Sequence, residues 1–330
     1  MTGRAATSRH EFRVDSRTLV AHDFLGTRAP RAAVVWCGGT PHTGALLAPH
    51  VDAAAARGIR LVSVARPGFG GSMRAPGRSI ADAAADVLRV ADLLAIERFL
   101  VTGYSGGGPH ALAVGALGGD RVRGVATFGS PAPFSDDGAW FDGMQDPGAL
   151  RSARNGRAAR EEWEETARFD PEQFTGDDYS ALDGPLTALG AEAGRASELE
   201  QGGSVDDDLA LVVPWGVDLS RLAAPVLLLH GAAEGWSRSR TRSGSAASTR
   251  LRSSRSGPVE ATSASCSTGR TSSTASSRTG PPGTAPAAEA ERLIAAGSGS
   301  DAEGGPGRAT LREGSLREDH GMAPHTDPRR

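Results

Sequence analysis

The sequence predicts an α/β protein: a mostly parallel sheet covered by helices on both faces, interrupted by an inserted helical segment. Three observations carry that expectation. From about residue 10 to 133, short apolar runs alternate with stretches whose apolar residues fall at helical spacing. One such run, Phe99-Leu100-Val101-Thr102, ends in Gly103-Tyr104-Ser105-Gly106-Gly107 and passes directly into an Ala/Leu/Val-rich stretch. Residues 135–220 then become polar, acidic and helix-forming, with no strand pattern. Short buried strands separated by helices imply parallel pairing with both sheet faces covered.

Taken in order, Glu11 to Phe24 reads as a hairpin and Ala32 to Cys37 as a buried strand closed by Gly38-Gly39. Ala45 to Ala56 is an alanine-rich helix. Leu61 to Val64 is the next strand, and the turn Arg66-Pro67-Gly68-Phe69-Gly70-Gly71-Ser72 follows it. Val87, Val90, Leu93 and Leu94 give Ile80 to Leu94 a helical stripe. Phe99 to Thr102 and Gly124 to Phe128 are strands on either side of a helix over Pro109 to Leu117. Arg151 to Arg168 reads as one charged amphipathic helix, and a strand returns at Pro225 to Gly231. After Glu234 the character changes. Ser237 to Thr279 holds 15 Ser, 8 Arg and 7 Thr in 43 residues, and from Gly235 onward only six of 96 residues are Leu, Ile, Val or Phe. Too little apolar surface is available there to offset ordering entropy, so disorder is expected.

The 330 residues carry a net charge of −3, which supplies no basic field for nucleic acid. The chain has neither an apolar run long enough to span a membrane nor a charged-then-apolar N-terminus, which leads to the expectation of a cytoplasmic protein with no membrane partner. Cys37 and Cys266 stand far apart, so no disulfide framework is expected. No His/Cys cluster has metal-ligand spacing, and Asp206-Asp207-Asp208 reads as a solvated turn rather than a cation loop. No cofactor is expected. All 36 basic residues are arginine, which points to a GC-rich gene.

The glycine-flanked serine has a specific physical meaning. A strand turning sharply into a helix places the apex residue in a strained backbone conformation, and small flanking residues let the two elements pass closely. The serine hydroxyl is thereby exposed beside the free N–H groups of the helix start. Together with this elbow, three further motifs occur in order: Gly39-Thr40-Pro41 after a strand, the Arg66 to Ser72 glycine turn, and Leu227-Leu228-Leu229-His230-Gly231-Ala232-Ala233-Glu234. Residues 10–234 thus resemble the α/β-hydrolase superfamily, in particular capped serine hydrolases of the esterase and proline-iminopeptidase-like kind. Asp206-Asp207-Asp208-Leu209 and Pro214-Trp215-Gly216 are similar to cap sequences of that group. Gly38 stands where the family usually has His.

The resemblance implies an α/β-hydrolase core in 1–134, a helical cap in 135–220, a core strand and acid loop in 221–234, and a low-complexity tail in 235–330. It implies Ser105 as nucleophile toward a small ester or amide, with backbone N–H groups of Thr40 and Gly106 as the oxyanion hole. For Thr40 the alternative is a plain strand-to-helix turn. Glu234 stands at the position of the triad acid, with an exposed loop glutamate as its alternative and Asp136 or Asp137 as fallback acids. Those relatives that open epoxides or remove halide carry Asp at the apex, where this chain has Ser105.

The family also places a catalytic histidine after its last strand, and no histidine fits. His10, His22 and His50 precede the elbow. His42 follows the oxyanion loop and could touch substrate, His110 packs on the helix after the elbow, and His230 ends a strand. His320 and His325 lie far into the tail, His320 being the one weak candidate for the base. The genetic code supplies an explanation. Read in the shifted frame, GC-rich codons from Gly235 can encode Val-Val-Pro-Phe-Ala-His-Ala-Glu-Trp-Leu, and those from Glu260 to Cys266 can encode Gly-His-Val-Ser-Val-Leu-Leu. That second histidine falls 28 residues beyond Glu234, which suits the family spacing. The expectation is an out-of-frame tail with the final strand and helix of the sheet missing. The Val226 to His230 strand would then be an open edge, and the chain would be prone to aggregate. The competing outcomes are a catalytically dead binding protein and a non-functional product of a frameshifted gene.

Overall fold

A computed structural model describes residues 7–230, apart from 27, 137, 143, 145, 169, 172, 173 and 200, together with two short strands at 247–251 and 263–264. The fold starts with strands β1 (Ser8–Val14) and β2 (Arg17–Phe24), an antiparallel hairpin that turns through Asp15 at φ +54°. Strands β3 (Ala32–Cys37), β4 (Ile59–Val64), β5 (Phe99–Tyr104), β6 (Val122–Phe128) and β7 (Val226–His230) form the parallel part of the sheet. Parallel neighbours need crossovers. These are helices α1 (Ala48–Arg57), α2 (Ile80–Leu93) and α3 (Gly107–Gly118), each following its strand as expected. The start of α2 is fixed locally by a capping box. Ser79 Oγ accepts from the Asp82 N–H at 3.1 Å, and Asp82 Oδ2 accepts from the Ser79 N–H at 2.8 Å.

Alternation along the strands divides the core between the two sheet faces. Val35, Cys37, Val62, Val64, Phe99 and Val101 face α2 and α3 and join Val87, Val90, Ala113 and Val114. Their neighbours Val34, Trp36, Leu61 and Leu100 face the other way, against Leu47 and Ala54. A strand buried on both faces has no polar side, which is why these segments read as continuous apolar runs. Burial of Cys37 pushes its thiol up to about 12, so it behaves as a small apolar group.

Between β6 and β7 the described residues form no strand and fold into helices α4 (Gly148–Arg154), α5 (Arg157–Thr166), α6 (Gly176–Asp183), α7 (Thr187–Leu199) and α8 (Gly203–Leu211). The single helix expected over 151–168 is two helices. Gly156 at φ +101° interrupts it, a conformation with no place in a right-handed helix. Sheet order is β1-β2-β4-β3-β5-β6-β7-β8-β9, where β8 (Ala247–Leu251) pairs antiparallel with β7 and β9 (Ser263–Ala264) with β8. Among the described residues no parallel strand follows β7. The edge expected to be open is instead paired by β8. No helix of the described residues is long and apolar enough to cross a membrane.

Candidate active site

Strand β5 delivers Ser105 to the carboxyl end of the sheet, and α3 begins two residues later. Ser105 has φ +48°, a left-handed conformation that costs a residue with a Cβ about 1–3 kcal/mol unless its surroundings enforce it. They do so from both sides. The Ser105 N–H donates to the Phe128 carbonyl on β6 at 2.9 Å, and its carbonyl accepts from the Gly108 N–H at 3.0 Å. Gly103 and Gly107 are the positions where close approach forbids a side chain. A Cβ on Gly103 would run into the Gly107 carbonyl, and one on Gly107 into the Cys37 and Gly38 carbonyls. The half-buried Ser105 hydroxyl has no hydrogen-bond partner among the described residues.

Facing the elbow is the loop after β3. A Cβ on Gly106 would stand 2.5 Å from Thr40 Oγ1 and 3.5 Å from the Thr40 nitrogen, so the two expected oxyanion donors are neighbours. The Thr40 hydroxyl is occupied elsewhere: it donates to Asp207 Oδ2 at 2.6 Å and accepts from Arg66 Nη2 at 2.9 Å. Arg66 is buried and spans the loop from behind. Its Nη1 donates to the Gly38 carbonyl at 2.5 Å and its Nη2 to the Gly39 carbonyl at 2.6 Å. Asp207 on α8 receives Nε and Nη2 of Arg66, the latter at 2.7 Å, and also Arg78 Nη2.

The solvated turn expected at 206–208 is therefore a buried charge hub. Asp206 takes Arg74 at 2.7 Å and Arg157, Asp207 takes Arg66 and Arg78, and Asp208 takes Arg160 at 2.7 Å. Asp206 is 2 % exposed and Asp207 0 %. Burial acts against ionisation of Asp207, but the charges of Arg66 and Arg78 outweigh it and hold this carboxyl well below the usual range. Burial raises Asp208 to about 6 against the opposing pull of Arg160. Sequence reasoning missed this cluster because its partners lie 129 and 141 residues apart. The available signal was an arginine at the head of the glycine turn together with three acids in a row.

No described histidine lies within hydrogen-bond distance of Ser105 Oγ. His110 packs on α3 as expected: it is 1 % exposed, its Nδ1 contacts the Gly106 carbonyl at 2.9 Å, and burial lowers it to about 3. That carbonyl only accepts, so Nδ1 carries the proton of a neutral ring. His42 is not placed to touch substrate. It is 3 % exposed, edge-on to Trp36 at 4.7 Å, with Nδ1 accepting the Gly44 N–H at 2.8 Å, and burial lowers it to about 4. Asp136 is exposed and paired with Arg154 at 2.6 Å. Glu234, His320, His325, Asp137 and Cys266 lie outside the described residues. Among the described residues no group of three His, Cys, Asp or Glu side chains could hold a metal ion.

The family model described as alpha/beta hydrolase fold matches residues 32–168. The structure is similar to a thermophilic esterase from Thermogutta terrifontis, with TM-score 0.53 and 19% identity over 70% of this chain and 82% of that one. It is also similar to the epoxide hydrolase CorEH, with TM-score 0.50 and 16% identity over 69% and 83% of the two chains. An enol-lactonase from Burkholderia xenovorans aligns with TM-score 0.49 and 21% identity over 66% and 80%. No curated protein matches the chain at a significant level. The chain has the α/β-hydrolase fold.

Proposed function

We propose that the site is that of a serine hydrolase cleaving a small ester or amide through an acyl-enzyme. Ser105 is the nucleophile, and the N–H groups of Gly106 and Thr40 hold the oxyanion. The observation that carries this reading is the Ser105 backbone at φ +48° with its hydroxyl unpartnered beside the Thr40 loop. Helices α4–α8 form a cap over the pocket and select the substrate. The protein acts in the cytoplasm on a small molecule, without nucleic acid or membrane and without a cofactor.

Glu234 serves as the acid that orients and stabilises an imidazolium. The base is the histidine encoded in the shifted frame between codons 261 and 262, so the chain as translated is impaired. The spacing of that shifted-frame histidine, 28 residues beyond Glu234, supports this over a fully active enzyme. The test compares this chain with one whose codons after 234 are restored to the alternative frame, using a fluorophosphonate probe. Restoration should speed labelling of Ser105 by at least about 10³-fold, because a serine hydroxyl without its base loses most of its reactivity. Equal rates in the two folded chains, or a gene without an open hydrolase frame across codons 235–270, would refute the assignment of the base.

A further inference from the structure

We propose that Arg66 is a positioning residue that polarises the Gly39–Thr40 peptide from behind, strengthening the Thr40 N–H as a donor to negative charge developing in front of Ser105. The proposal deepens the hydrolase reading and rests on it.

The geometry is specific to one peptide plane. In a trans peptide the C=O and N–H point in opposite directions. Arg66 Nη2 donates to the Gly39 oxygen at 2.6 Å, so the N–H of the same unit, that of Thr40, points away from the guanidinium. Among the described residues that N–H donates to nothing, and the Thr40 nitrogen lies against Gly106 at the elbow. The preceding peptide is held in the same way. Arg66 Nη1 holds the Gly38 oxygen at 2.5 Å, so the Gly39 N–H of that unit likewise points away from the guanidinium. A single planar guanidinium thus grips two successive carbonyls, and the Thr40 N–H beyond the second lies at the elbow.

Charge acts in the same direction. Arg66 and Arg78 share one carboxylate, Asp207, in a region where all three side chains are at least nine-tenths buried. His110 nearby is neutral, so among Arg66, Arg78 and Asp207 positive charge exceeds negative by one, with Asp82 of α2 acting on Arg78 and none of the other described carboxylates on Arg66. In a medium of low dielectric a charged donor on a carbonyl strengthens the hydrogen bond made by the same peptide's N–H. An ammonium cannot reproduce the fork across two carbonyls. Asp207 holds the guanidinium through Nε and Nη2 and leaves Nη1 and the second Nη2 hydrogen to the loop. A purely structural bracket would fix the loop without altering donor strength.

The experiment uses the full chain and its Arg66→Met, Arg66→Lys and Asp207→Asn variants. One readout is the Thr40 backbone amide proton resonance in the NMR spectrum. The other is the second-order rate constant of Ser105 phosphonylation by a fluorophosphonate, followed by intact mass over long incubation. In Arg66→Met the Thr40 resonance should move upfield and labelling should slow about tenfold or more. Arg66→Lys should give a partial shift and partial rate. Asp207→Asn, which removes the counter-charge but keeps the guanidinium, should change them less than Arg66→Met does. If Arg66→Met does not fold, Arg66→Lys carries the same comparison. An unchanged Thr40 resonance in a folded Arg66 variant overturns the proposal, as does a shifted resonance with an unchanged labelling rate. A shifted resonance in a protein whose Ser105 reacts neither in this chain nor in the frame-restored one supports the polarisation and refutes the hydrolase reading instead.

Discussion

Two loops meet at the site, and they are held by different forces. The elbow at Ser105 is fixed by sterics and backbone hydrogen bonds between near neighbours, with glycines where β5 and α3 would otherwise collide. The Thr40 loop is fixed by buried charge brought from far along the chain: Arg66 from the turn after β4, Asp207 from α8 and Arg78 from before α2. A strained serine needs a rigid frame that does not depend on solvent. A donor loop that meets developing charge gains from fixed charges behind it. The difference predicts that damage to the two loops will look unlike.

Breaking the elbow should have the largest effect. Gly103→Val drives a side chain into the Gly107 carbonyl, where backbone on both sides cannot move away. The expected result is a loss of more than about 4 kcal/mol, beyond ordinary overpacking, visible as failure to give a cooperative unfolding transition. Breaking the charge hub comes next. Asp207→Ala strands two buried guanidiniums, and removing one partner of such a group costs about 3–5 kcal/mol. Asp207→Asn, which removes the same charge, should lose a comparable amount in urea melts. A loss in Asp207→Ala no larger than a surface substitution would show that charge does not hold this loop.

The hub also carries a pH signature that the elbow lacks. Asp208 is raised to about 6 from a usual value near 4, so the folded state binds its proton more tightly than the unfolded chain. Its contribution favours folding fully below pH 4 and is lost as pH rises through 6, an effect on the order of 3 kcal/mol in all. Asp208→Asn should remove that part of the slope. The check is the difference in unfolding free energy between the two proteins at pH 4.5 and pH 7. The smallest effect belongs to Ser105 itself. Ser105→Gly relieves the left-handed backbone and should raise stability by about 1 kcal/mol, whereas Ser105→Ala should not.

The same contrast explains what the sequence made legible. The elbow is local: a β-branched strand, Gly-x-Ser-x-Gly and an alanine-rich helix stand within twenty residues, so its conformation follows from short-range sterics. The two-faced core was legible too, because strands such as Val34 to Cys37 are apolar at every position. The hub was not. Three adjacent aspartates have the same composition whether they meet water or arginines, and only the packing of α8 beside the turn after β4 decides between them. The break at Gly156 was readable in principle, since a glycine after an asparagine is a common helix stop, but the surrounding charge pattern masked it. The pairing along β7 was hidden for another reason: Ala247 to Leu251 has none of the apolar alternation that marks a strand.

Whether Ser105 attacks the substrate is best decided by rapid acid quench of the frame-restored protein during turnover of p-nitrophenyl acetate, followed by peptide mass spectrometry. An acetyl group on Ser105 is expected, with no turnover in Ser105→Ala. A folded, active protein that carries no acyl group on Ser105 and keeps its activity in Ser105→Ala would show that another residue is the nucleophile.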